Sequence, residues 1–127
     1  MIEALLHRLR ENATLAALLG VTPGDSRIHP HSVAFPGPGL AYEYTDMTRG
    51  DVYGSQVTFR AVSADFDLTR AIAEKVTASL HVPPTGHGWW FDQTHILTCH
   101  LGGGGSLEME DVGLYQRFVT FDVKWRQ

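Results

Sequence analysis

Cysteine is almost missing from this 127-residue chain. The lone thiol, Cys99, excludes an internal disulfide and leaves no thiolate pair for a structural metal. Also lacking are an apolar run long enough to cross a bilayer and an opening charged-then-apolar leader. These absences predict a protein made and kept in a reducing, aqueous compartment, with no membrane partner. Basic clusters are absent as well. The 10 Lys and Arg residues are outnumbered by 14 Asp and Glu, giving a formal charge of −4, and they are scattered along the chain. Such a surface repels phosphate, so tight nucleic-acid binding is not expected.

What is present is the patterning of a packed core. A hydrophobic content of 43% over this length suffices for one core, and a single domain over residues 1–127 is expected. The clearest element is the last strand, residues 113–125. Tyr115, Val119, Phe121, Val123 and Trp125 share one face of it, and Gln116, Thr120, Asp122 and Lys124 the other, the period of a half-buried strand inside a sheet. Arg117 on the apolar face and Phe118 on the polar face break the pattern, which implies that the second face is also partly covered, by another layer or another subunit.

At the other end, Ile2, Leu5, Leu6, Leu9 and Ala13 form one helical stripe. Leu15, Leu18 and Leu19 fall well round the cylinder from it, so one straight helix does not bury both sets. A break is expected at residues 12–14, with Asn12 or Thr14 capping a second short helix that Gly20 ends. Residues 21–39 are too rich in Pro and Gly for a helix and leave room only for an edge strand near residues 27–31. Strands are expected at residues 40–45 and 52–63, joined by a polar tip at residues 46–51. Asp65 or Asp67 can cap a helix whose stripe is Leu68, Ile72, Val76 and Leu80, stopped by Pro83 and Pro84. Residues 86–90 read as a loop, residues 93–101 as a strand and residues 102–111 as a flexible acidic connection. The expected architecture is α+β, an antiparallel sheet with helices packed on one face.

Catalytic chemistry is hard to find in this pattern. His29 and His31 would put two imidazoles on one side of an extended chain, with His87, His95, Cys99 and His100 as further ligands, but the spacing matches no closed metal site. Cys99 and His100 are strand neighbours whose side chains point to opposite faces, so a buried free thiol is expected rather than a catalytic pair. Gly102 to Gly105 share only glycine content with a phosphate loop, since no Gly-Lys-Ser or Gly-Lys-Thr follows, and loop flexibility accounts for them more simply. No enzyme activity and no cofactor are expected. Trp89, Trp90 and Phe91, flanked by glycines, either fold back over the sheet or form an interface.

Several stretches together resemble a known family. They are Leu5-Leu6-x-x-Leu9, Ala13-x-Leu15-x-x-Leu18-Leu19-Gly20, Arg27-Ile28-His29-Pro30, Leu40-Ala41-Tyr42-Glu43-Tyr44, the strand at residues 57–63, the helix at residues 68–80, and the ending Gly113-Leu114-Tyr115 with Phe121-Asp122-Val123-Lys124-Trp125. In this order they are similar to the small phage tail-completion proteins of the tail terminator type. That family usually carries Leu-Pro before its first long strand, where this chain has Phe35-Pro36-Gly37-Pro38-Gly39-Leu40.

The resemblance implies a ring-forming α+β subunit, a homohexamer on the head-proximal end of a long phage tail. Such a ring stops tail polymerisation and provides the surface for head joining; it is assembled in the host cytoplasm and resides in the virion. Its implied partners are itself, the tail tube protein and a head-completion or neck protein, with DNA passing through the channel unbound. Trp89, Trp90, Phe91 and Phe118 are the candidate subunit interface. Asp46, Arg49, Asp51, Tyr53, Glu108, Glu110 and Asp111, on two polar tips, are the candidate contacts to tube or neck. The alternatives are another head-to-tail neck component and a small metal-dependent enzyme or ligand-binding domain using His29 and His31.

Overall fold

The computed structural model describes residues 1–20, 27–31, 38–48, 50–82, 86–109 and 113–127. It opens with two helices, α1 (Ile2–Arg10) and α2 (Ala13–Leu19), broken where the two leucine stripes diverge. Asn12 makes the break. Its backbone is extended, its Oδ1 accepts the Leu15 amide at 3.0 Å, and its side-chain amide donates to Ser79 Oγ, so one residue caps α2 and ties it sideways. Gly20 ends α2 at φ +76°, a left-handed conformation that a Cβ disfavours. Leu5, Leu6 and Leu9 from α1 and Leu15 and Leu19 from α2 then enter the same core.

Six strands follow the order β1-β2-β3-β6-β5-β4: β1 (Ile28–Pro30), β2 (Gly39–Thr48), β3 (Tyr53–Ser63), β4 (Trp89–Phe91), β5 (Thr94–Met109) and β6 (Leu114–Arg126). Between β3 and β4 lies α3 (Phe66–Leu80). Asp65 caps it, its carboxylate accepting the amides of Asp67 at 2.9 Å and Leu68 at 3.2 Å. Ile72, Val76 and Leu80 are wholly buried, so the expected stripe faces the sheet. The layout is α+β with the three helices packed against a sheet curled into a half-barrel. Among the described residues the strand pairings are antiparallel except β1 with β2, which is parallel.

The last strand sits inside the sheet, between β3 and β5, as its composition requires. Val119, Phe121, Val123 and Trp125 are buried under the helices, and Phe121 meets Phe59 edge-on at 6.2 Å between ring centroids. Among the described residues the opposite face carries no helix; Thr58 and Thr120 hydrogen-bond across it at 3.0 Å.

Two expectations are corrected. Residues 89–91 are not a loop but the edge strand β4, paired with residues 94–96. Gly88 allows the entry: its φ is +65°, and a Cβ there would lie 1.7 Å from the Ile96 carbonyl oxygen. Nor do Gly102 to Gly105 form a hinge. They continue β5, which stays paired with β6 as far as Met109 opposite Leu114. Two of them, Gly102 and Gly105, provide clearance for cross-strand side chains. A Cβ at Gly105 would approach the Phe118 ring to 2.9 Å, and one at Gly102, the extra residue where the register shifts, would approach the Asp122 carboxylate to 2.6 Å.

Candidate functional site

The aromatic cluster divides between the two faces of β4. Trp89 and Phe91 point to the helix side: Arg8 lies 4.3 Å over the Trp89 ring while its Nε donates to the Ser79 carbonyl at 2.7 Å, and His7 lies 4.5 Å from Phe91. These two rings therefore fasten α1 to the sheet edge. Trp90 points the other way, 60% exposed and stacked on His95 at 4.4 Å. Phe118 lies on that same open face, 38% exposed, with its ring over Gly105. The four residues expected at an interface thus form no single patch; Trp90 and Phe118 share the helix-free face, and Trp89 and Phe91 do not.

The tip at the end of β2 and β3 is better anchored than its polarity implies. Tyr53 stacks on Trp125 at 4.4 Å, Trp125 Nε1 donates to Ser55 Oγ at 3.0 Å, and Ser55 Oγ donates to the Asp46 carboxylate at 2.6 Å. Asp46 and Tyr53 are thereby linked to the core, whereas Asp51 is exposed. Arg49, Glu110 and Asp111 lie outside the described residues. Glu108 is paired through its backbone with Tyr115.

Sequence patterning missed a groove. It lies between α3 and the β5 side of the sheet, about 440 Å³ in volume, lined by Ala73, Glu74, Thr77, Ala78 and His81 above and by Leu101, Arg117 and Val119 from the sheet. Leu101 is 46% exposed there because α3 rests over β3 and β6 and does not reach across β5. On the opposite edge Tyr44 is 47% exposed although it shares a face with the buried Val57. Both lie on strand faces that the apolar alternation assigns to the core, so the alternation alone hides their exposure.

The chemistry of the histidines and the thiol is modest. His31 has φ +65°, and its carbonyl accepts from Arg60 at 2.6 Å. Among the described residues no three His, Cys, Asp or Glu side chains converge as metal ligands would. Cys99 is wholly buried, and burial pushes its thiol up to about 12. A thiol so raised stays protonated and is a poor nucleophile at neutral pH.

Solved structures include chains of the same architecture. A chain from the virion of the native gene transfer agent particle superposes with a TM-score of 0.70 over 97% of this chain and 92% of its own. The two share a fold. Their sequences are 15% identical, so the likeness lies in the architecture and not in shared side chains. No family model matches the chain, and no curated protein does. Near-complete coverage in both directions means that the whole arrangement of helices and half-barrel recurs in that virion chain, rather than a fragment of it.

Proposed function

We propose that this protein is a structural component of a phage-type virion, and more narrowly a tail terminator. Copies assemble as a homohexameric ring on the head-proximal end of the tail tube, stop its polymerisation and form the surface to which the head's neck protein joins. The role is architectural, without catalysis or cofactor. The observation that carries the reading is the whole-chain likeness to a chain of the gene transfer agent virion, which agrees with the family resemblance of the sequence.

The helix-free face of the sheet supports a channel that DNA traverses without being gripped. By strand register Arg60, Lys124 and Arg126 share that face with the acids Glu43 and Asp122 and with Thr45, Thr58 and Thr120. Three bases stand against two acids there, a net of about one positive charge per copy, so most of the basic groups have an acid on the same face to compete with phosphate.

The test is complementation of a phage lacking the corresponding gene, with tail length and head joining counted by electron microscopy. Charge reversal at Arg49 together with removal of residues 108–112 is expected to give overlong tails or unjoined heads. Full-length tails and normal joining without any copy of the protein would end the terminator reading.

A further inference from the structure

Two stretches of strand edge lie open on opposite sides of the half-barrel. On one side β1 covers β2 only at residues 40–42, so beyond Tyr42 the outer edge of β2, from Glu43 to Met47, has no strand beside it among the described residues. On the other side β4 covers β5 at residues 94–96 and Val82 bridges Cys99, and from His100 onward the outer edge of β5 likewise has no strand beside it among the described residues. Edges left in this state are templates for pairing, and native sheets commonly blunt them with charge or proline. Residues 101–105 of β5 have neither.

Strand polarity decides how the two edges fit. β2 and β6 run one way, β3 and β5 the other. A copy rotated about an axis along the strands therefore brings its β2 beside β5 of the first copy in antiparallel order, with the helix-bearing faces on the same side. In that arrangement Tyr44, which projects on the helix-bearing face, comes over the groove between α3 and Leu101. On its α3 side the groove is lined by Ala73, Glu74, Thr77, Ala78 and His81, the two alanines leave it open, and at about 440 Å³ it is large enough for an aromatic ring. Asp46, two positions along the same face, brings a carboxylate towards His81 and Arg117. Beside Glu43 and Tyr44, where β1 stops, a recess of about 510 Å³ bordered by Ile2, Pro30, His31 and Tyr42 leaves room for the incoming strand.

We infer that the open edge of β5 and the α3–Leu101 groove receive the β2 edge of a neighbouring copy, with Tyr44 as the side chain that fills the groove. This is strand addition in which main-chain bonds supply the contact and one pocket supplies the register. The contact joins different patches, so it repeats head to tail, and it gives the proposed ring when the rotation from copy to copy closes. The inference rests on the ring reading above and adds which surfaces meet. Trp90, on the helix-free face, is not needed for it.

Cysteine cross-linking tests it. Thr45 is exposed, and a Cβ at Gly103 meets nothing within 4 Å, so Thr45→Cys and Gly103→Cys are both tolerated by the fold, while the buried Cys99 stays out of the chemistry. Mild oxidation of a mixture of the two single variants is expected to give a disulfide dimer containing one of each, and the double variant a ladder of higher multimers. Tyr44→Asp and Leu101→Asp, each with an unchanged melting temperature, are expected to abolish assembly. Assembly of the parent with no mixed dimer, and with both Asp variants still assembling, would overturn this contact and leave the ring intact. Gly103→Cys dimers formed alone would show β5 pairing with β5, which also overturns it. A parent that never assembles at any concentration would remove the ring reading and this contact together.

Discussion

At the residue scale, the positions that matter most are those where a side chain or its absence is dictated by a neighbour. Gly88 is the sharpest case, because a Cβ would overlap the Ile96 carbonyl and φ is positive. Gly88→Ala is expected to destabilise the fold by more than about 2 kcal/mol, measured by denaturant unfolding, whereas Gly103→Ala, facing open space, should change it far less. Cys99 gives a pH signature. Its thiol is raised to about 12 by burial, so the stabilisation from holding it neutral is complete below the value of the unfolded thiol, near 9, and is lost as pH rises towards 12. The unfolding free energy of the parent should therefore fall relative to Cys99→Ala between pH 9 and 12, and a constant difference across that range would contradict the assignment. The free, buried state of Cys99 was legible from its place on an apolar strand. The glycines were not: read locally, Gly102 to Gly105 resemble a hinge, and only the pairing of β5 with β6, which brings Gly102 beside the Asp122 carboxylate and sets Gly105 opposite Phe118, reveals them as part of a strand.

At the scale of elements, the signals that read true are local ones. Asn12, Gly20 and Asp65 end or start helices through bonds to residues within a few positions, which is why the helix breaks could be placed from sequence. The long strands β3 and β6 were legible for a similar reason, since alternation over eleven or more residues admits one register of faces. Residues 89–91 escaped because three residues carry too little alternation to mark a strand, and because the split of Trp89 and Phe91 from Trp90 depends on α1 packing from a distant part of the sequence. The attachment of α1 can be measured. Arg8→Ala removes both the contact with the Trp89 ring and the hydrogen bond to Ser79, and about 1 kcal/mol of stability should go with them. Asn12→Ala should cost a similar amount through the lost cap and its tie to Ser79. Hydrogen exchange of the α1 and α2 amides would then quicken more than that of β3 and β6, whose protection reports the core.

At the scale of the whole molecule, the chain presents a half-barrel with helices on one side, a nearly charge-balanced face on the other and an open stretch of strand at each edge. None of these is a property of a single element, and none could be read from composition; the broken face pattern at Phe118 pointed only to something covering the far side. In the ring proposed above, each open edge would be covered by the edge of a neighbouring copy. The most direct test is sedimentation velocity of the purified protein across a concentration series, with the fastest species imaged by electron microscopy. The account predicts a slow species at low concentration that gives way to a closed six-membered ring with a central opening. A protein that remains monomeric up to millimolar concentration, or that assembles into closed two-fold dimers with no opening, would contradict it.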